Sequence, residues 1–307
     1  TEKGSISNDD LKDAIENMTN KIECDSTRII PVGEKFLPSL LISSVILDAS
    51  DVVTYDKDDI ETYSDETYGP FIKTKWGQTT IGGIRVFNRY TPNHSACGCV
   101  VTAVAQIMEY NKYPEYTAID FDGEMCYWNE MEKICHFSTM GEAPFYSIDT
   151  SAFNQVAHFV RELGKHDNVK VRYGDSEEDE SGAYAEGAQR TFQHYGYQDV
   201  DKHLGFGKKK RKIADKCLRG GRPVYLDGLG NGEGHAWVLD GLRGDYYHIN
   251  WGWYGKSDGY YSKGVFRTSQ RNDIASIDKQ EEAEYSHFYK NFRMVTYGSI
   301  KHSTPIE

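Results

Sequence analysis

Ala96-Cys97-Gly98-Cys99-Val100-Val101-Thr102-Ala103-Val104-Ala105-Gln106-Ile107-Met108 is an apolar, helix-forming run that opens on a glycine–cysteine step, with Pro92, Asn93 and Ser95 just upstream. Its apolar residues (Val100, Val101, Val104, Ala105, Ile107 and Met108) fall nearly all the way round a helical wheel, which predicts a buried central helix. The helix is expected to reach about Tyr110, and Pro114 marks where it must have stopped. Cys99 then occupies the first turn, where unpaired N–H groups and the positive end of the helix dipole favour thiolate over thiol. A cysteine so placed sits at the mouth of a cleft whose floor is the helix.

The rest of the chain is ordinary in bulk and informative in order. Its 307 residues suffice for a sizeable core. Hydrophobic content of 38% and charged content of 27% fit a soluble globular protein. With 35 basic against 47 acidic residues the net charge is −12, which argues against nucleic acid or an anionic membrane as partner. Six cysteines are too few and too scattered for a disulfide framework, although Cys126 and Cys135 are near enough in sequence to bridge in an oxidising compartment. The longest apolar stretch, Leu37 to Ala49, is interrupted by Pro38 and three serines, so no transmembrane helix is expected. No signal peptide is visible and the first residue is Thr1, which reads as a trimmed or processed product.

Residues 1–67 read as a separate N-terminal unit. Asn8 caps an expected helix carrying Leu11, Ile15, Met18 and Ile22, and an acidic linker from Asp48 to Glu66 follows, open to proteolysis. Residues 68–307 form the second unit. Beyond the central helix, amphipathic helices are expected from Thr150 or Ser151 to Gly164, from about Ala183 to His194, and from Gly207 to Gly220. The acidic run at 175–180 and the basic run at 208–212 are solvated surface on this reading. Strands then take over: Pro223 to Leu226, Ala236 to Leu242 and Tyr246 to Trp251. Arg243-Gly244-Asp245 serves as a hairpin turn rather than an adhesion signal. Helices early and strands late predict an α+β fold with a cleft between two subdomains.

His235 follows a glycine-rich stretch (Gly228, Gly230, Gly232, Gly234) and starts a buried strand, a suitable place for a base that meets a substrate in a cleft. Asn250, on the neighbouring strand, is expected to accept the His235 ring N–H through its side-chain oxygen. Trp251 and Trp253 are expected to cover the pair and exclude water. Chain order is then cysteine, histidine, asparagine. Alone, a buried cysteine or a strand histidine is mostly inert packing; together with Asn250-Trp251-Gly252-Trp253 they are not. A metal site from His94, Cys97 and Cys99 matches no zinc spacing, so no metal or other cofactor is expected.

This order resembles the papain-like cysteine peptidases, and in detail the streptopain family. That family combines a Gly-Cys-Val-x-Thr-Ala-x-Ala-Gln-Ile-Met helix, a Gly-His-Ala-aromatic-Val-x-Asp-Gly strand and Asn-Trp-Gly-Trp-x-Gly-x-Ser-Asp-Gly-Tyr. This chain carries them at 98–108, 234–241 and 250–260. Lys75-Trp76-Gly77-Gln78, Tyr173-Gly174 with Ser181-Gly182-Ala183, and Gly221 to Tyr225 are further echoes, and the similarity covers roughly 68–297. The resemblance implies a papain-like two-subdomain fold, with the nucleophile helix packed against a twisted antiparallel sheet. It implies Cys99 as nucleophile, His235 as general base and then acid, and Asn250 with Trp251 as orienter and shield. Gly234 and Trp253 become cleft wall, and protein or peptide the substrate, without cofactor. It also implies a secreted, periplasmic or cell-surface zymogen, with residues 1–67 as the remainder of a propeptide acting within the same chain. The papain-type oxyanion glutamine is replaced by Asn93, so the expected oxyanion donors are the Cys99 backbone N–H and Asn93. Two other readings remain at this stage: a catalytically silent binding or adhesion protein on the same fold, and an amidase or transferase acting on small amides.

Overall fold

The computed structural model describes residues 66–114, 127–134, 150–177, 179–230, 233–268, 286–298 and 300. The chain divides into two units, Thr1–Tyr63 and Ser64–Glu307, and the described residues all belong to the second. The helix expected after Asn8, nearly all of the acidic linker, and Cys126 and Cys135 lie outside the described residues.

Five helices are present among the described residues: α1 (Cys99–Asn111), α2 (Trp128–Glu132), α3 (Thr150–Leu163), α4 (Ala185–His194) and α5 (Lys208–Arg219). The strands, in chain order, are β1 (Thr67–Tyr68), β2 (Thr80–Ile81), β3 (Ile84–Arg85), β4 (Asp201–Leu204), β5 (Val224–Gly230), β6 (Glu233–Arg243), β7 (Tyr246–Asn250), β8 (Gly259–Ser262), β9 (Phe266–Arg267), β10 (His287–Phe288) and β11 (Lys290–Thr296). Seven of them make one antiparallel sheet, ordered β4-β11-β5-β6-β7-β8 with β1 paired to β6. Thr67 pairs with Arg243, so the sheet takes in a residue that the sequence reading assigns to the extension.

The expected central helix is α1. Gly98 supplies φ +93° just before it, a conformation that a side chain would strain, and every residue from Val100 to Glu109 is buried. Lys112, left-handed at φ 50°, closes the helix with its N–H on the Glu109 and Met108 carbonyls. Alternation along β6 splits the core into two clusters. Ala236 and Val238 pack with α1, Tyr225 and Val295, whereas Trp237 and Leu239 pack with Ala214, Cys217 and Leu218 of α5. This is the predicted α+β layout, a buried helix against a twisted antiparallel sheet.

Two details of the β5–β6 hairpin differ from expectation. Strand β5 runs on through Gly228 and Gly230, and β6 starts at Glu233, so three of the four glycines lie in paired strands rather than in a flexible loop. They are small because neighbours approach closely: a Cβ on Gly228 would meet the Phe292 ring, and one on Gly230 the His287 carbonyl. At the β6–β7 hairpin, Arg243 pairs with Tyr246 across Gly244 and Asp245, the tight turn expected there.

Candidate active site

Cys99 is half-buried at the first position of α1. The backbone amide of Ala236 is the strongest of the groups that favour its thiolate, with the amides of Val100 and of Cys99 itself adding smaller support. The strand residue next to His235 therefore acts electrostatically on the nucleophile candidate. Burial nonetheless pushes the Cys99 thiol up to about 11, outweighing these amides. The amides at the helix start thus act in the direction expected, and burial acts against them. Cys97 is fully buried, with its N–H on the Gln78 carbonyl and its thiol against the Thr102 hydroxyl, and burial pushes it to about 12. It is a core residue.

His235 is buried, and its Nε2 lies 2.8 Å from the Trp251 carbonyl oxygen. A carbonyl only accepts, so Nε2 carries the proton and Nδ1 keeps a free lone pair. The ring stacks on Trp253 at 4.5 Å between centroids, with Phe288 at 5.6 Å and Trp237 and Trp251 beyond 6 Å. Desolvation by these rings holds the imidazole down at about 4. Each shift counts against a lone charge. A thiolate and an imidazolium formed together offset that penalty by mutual attraction.

Asn250 is not the residue that orients His235. Its Oδ1 accepts from Gln106 Nε2 at 2.9 Å and from the Gly252 N–H at 3.0 Å, and its Nδ2 donates to the Thr74 carbonyl at 2.9 Å and to Gln106 Oε1 at 3.2 Å. Register explains this: Asn250 pairs with Val238, three residues along β6 from His235. The orienting acceptor is the Trp251 main chain, and the Trp251 N–H is fixed in turn by Asp258 Oδ1 at 2.9 Å. The shielding ring nearest the imidazole is Trp253, not Trp251. Gly234 pairs with Leu229 beside this site and is exposed.

Asn93 does not fit the oxyanion role. It sits exposed in the turn Pro92–His94 at φ 54°, and its Nδ2 donates to the Gly174 carbonyl at 3.1 Å. Conversely, Gln106 and Asp258 lie in the motifs at 98–108 and 250–260 and carry no role in the sequence expectation. A glutamine inside a helix that is apolar all round had to find buried partners. It finds them in Thr74, Trp76 and Asn250, which pins α1 to the end of β7.

The sequence model of the Peptidase C10 family matches residues 76–261. Streptopain of Streptococcus pyogenes serotype M1 is 30% identical over 190 residues, which make up 56% of this chain and 46% of that protein. The thiol protease/hemagglutinin PrtT of Porphyromonas gingivalis is 31% identical over 178 residues, 53% of this chain and 20% of that protein. The chain thus spans less than half the length of these two relatives. Among solved structures, active wild-type interpain A cysteine protease of Prevotella intermedia superposes with a TM-score of 0.58 at 23% identity, covering 80% of this chain and 100% of that one. A prointerpain A fragment from the same organism gives 0.56 at 21% identity, covering 85% and 81%. At these identities the likeness shows the fold.

Proposed function

The chain belongs to the Peptidase C10 family, and from that premise we propose that it is a cysteine endopeptidase of protein substrates with Cys99 as nucleophile and His235 as base. The observation that carries the reading is the buried His235 ring, its tautomer set by the Trp251 carbonyl, one residue before Ala236, whose amide favours the thiolate of Cys99. His235 Nδ1 takes the thiol proton, and the resulting thiolate attacks the peptide carbonyl carbon. The Cys99 backbone N–H is the oxyanion donor that the helix start supplies. The imidazolium returns its proton to the leaving amine. Water, deprotonated by the same ring, then hydrolyses the thioester and restores the thiol. Gln106, Asn250 and Asp258 act as positioning residues, the first two on the helix and the third on the Trp251 peptide.

We extend the proposal to maturation and location. Residues 1–67 contain the remainder of a propeptide, the part upstream of a cut in the acidic stretch 48–66, and the protein works outside the cytoplasm. The support is the composition of that linker and the family's fold, shared with a protein whose structure is that of a pro-form fragment. No helix among the described residues is long and apolar enough to cross a membrane.

The test is labelling with a thiol-directed peptidyl inhibitor and mass mapping, run beside cleavage of an unfolded protein. Labelling of Cys99 with matching loss of cleavage is the expected result. Labelling only after removal of 1–67 identifies the intact chain as latent. No labelling in either form leaves the silent binding protein as the reading.

A further inference from the structure

On the α1 side of the sheet, one row of cross-strand neighbours leads outward from Cys99. Ala236, whose amide favours the Cys99 thiolate, pairs with Asp227 of β5; Asp227 pairs with Arg293 of β11; Arg293 pairs with Leu204 of the edge strand β4. Neighbouring strands lie about 4.8 Å apart, so the Arg293 and Leu204 backbones are roughly 10 and 14 Å from Ala236. That is the span of about three to four residues of an extended peptide.

The row carries an ion pair where an apolar surface would be cheaper. Asp227 is 4% exposed; its Oδ2 accepts from the Tyr225 hydroxyl at 2.9 Å and its Oδ1 from Arg293 Nε at 2.8 Å. The Arg293 side chain is 24% exposed, and its guanidinium lies 5.7 Å from the centroid of the Tyr184 ring, itself 70% exposed. The buried carboxylate thus grips the guanidinium by Nε. The two Nη groups have no hydrogen-bond partner among the described residues. A guanidinium fixed from behind presents a rigid pair of donors, the geometry that a carboxylate fits with two parallel bonds.

We propose that Arg293 is the specificity-determining residue of a substrate subsite on this row, and that it takes the carboxylate side chain of an Asp or Glu in the bound peptide. Tyr184 is the wall of the subsite and Asp227 the positioning residue for Arg293. The preference arises from the fork and not from the surrounding field. The chain is at −12, and Glu186, paired with Lys202 at 2.6 Å, also acts on Arg293 with a negative charge, so the surroundings add no attraction for a carboxylate. The proposal rests on the peptidase reading.

The experiment is a set of fluorogenic peptides with Glu, Gln, Leu or Lys placed in turn at four positions on either side of the scissile bond. At one position Glu is expected to exceed Gln in kcat/KM by about tenfold, chiefly through KM, with Lys poorer still. In Arg293→Gln the Glu-to-Gln ratio at that position falls to about one. That variant leaves Asp227 charged and buried without its cation, so Asp227→Asn with Arg293→Gln is measured beside it, again with a ratio of about one expected. Arg293→Lys keeps the charge, loses the fork and retains a reduced preference; it decides the matter if the glutamine variants do not fold. A wild-type chain that cleaves the peptides without charge preference, or a preference that survives loss of Arg293, overturns the subsite alone. A chain that cleaves none of them and leaves Cys99 unlabelled overturns the peptidase reading and this proposal together.

Discussion

On the α1 side of β6 the side chains that anchor the helix are tied by directional bonds: Gln106 and Asn250 exchange two hydrogen bonds, and both reach the 74–76 segment. On the side where His235 lies the surroundings are aromatic, and a single hydrogen bond, to the Trp251 carbonyl, sets the direction of the ring. The first arrangement has one low-energy geometry, because every partner lost leaves a buried polar group unsatisfied. The second holds a flat ring by shape while leaving Nδ1 free. On the proposed assignment, the helix that carries the nucleophile and the ring that serves as base are thus supported by different physics on the two faces of one strand.

The sharpest way to break this contrast is at the two cysteines that lie two residues apart. Cys99→Ala is expected to lower kcat/KM at least about a thousandfold with little change in unfolding midpoint. Cys97→Ala is expected to keep activity within about tenfold and to lose about 1–2 kcal/mol of stability, since it empties a packed site. Peptide cleavage and denaturant titration on both variants check this. An active Cys99→Ala protein would exchange the two roles.

Next in size is Asn250→Ala. It strands the Gln106 amide, the Gly252 N–H and the Thr74 carbonyl, so stability is expected to fall by about 2–4 kcal/mol in urea titration. The acid limb of the pH–rate profile should stay where it is, because His235 is oriented by Trp251. A moved limb with stability intact would return Asn250 to the orienting role.

The Trp251 peptide carries the third test. Burial pushes Asp258 up to about 7, so its carboxyl is protonated in the fold at a pH where it is ionised in the unfolded chain. A raised folded pKa contributes stability that is complete below the unfolded value of 3.8 and is lost as pH rises through about 7. Asp258→Asn keeps the acceptor for the Trp251 N–H and cannot ionise. It should match the wild type near pH 4 and exceed it by about 4 kcal/mol at pH 8, measured by thermal unfolding across that range. Equal stability at both pH values would mean that the carboxyl ionises freely.

Much of this was legible from residue order. The run at 96–108 declared a buried helix with a cysteine at its start, and alternation at 236–242 declared the strand beside it. The register between strands was not legible. A bulge separates the Leu239 and Gly241 pairs of the β6–β7 ladder, and no local pattern announces it. Register decides that Asn250 meets Gln106 instead of His235. A main-chain carbonyl as the histidine's partner is equally silent, because every residue has one. The glycines before His235 looked like a loop because the groups that crowd them, Phe292 and His287, arrive from more than fifty residues later in the chain. The Asp227–Arg293 pair has the same origin: 66 residues separate its members.

The smallest expected effect sharpens the aromatic half of the contrast. Trp253 is half-exposed and covers one face of the His235 ring at 4.5 Å, so Trp253→Ala opens that face to water while leaving the Trp251 carbonyl in place. The imidazole is held at about 4 by desolvation, and relief of that burial moves it back up toward the ordinary 6.5. The proposed mechanism needs the unprotonated Nδ1, so the acid limb of kcat/KM should lie below 6.5 in the wild type and shift upward in the variant. At pH 8 both rings are neutral, and the two proteins should differ by less than about threefold. At pH 5 the wild type should keep most of its activity and the variant should lose about tenfold. Profiles of kcat/KM from pH 4 to 9 decide the point: a limb that does not move would mean that Phe288, Trp237 and Trp251 already keep the ring dry, and that Trp253 serves the substrate side of the cleft instead.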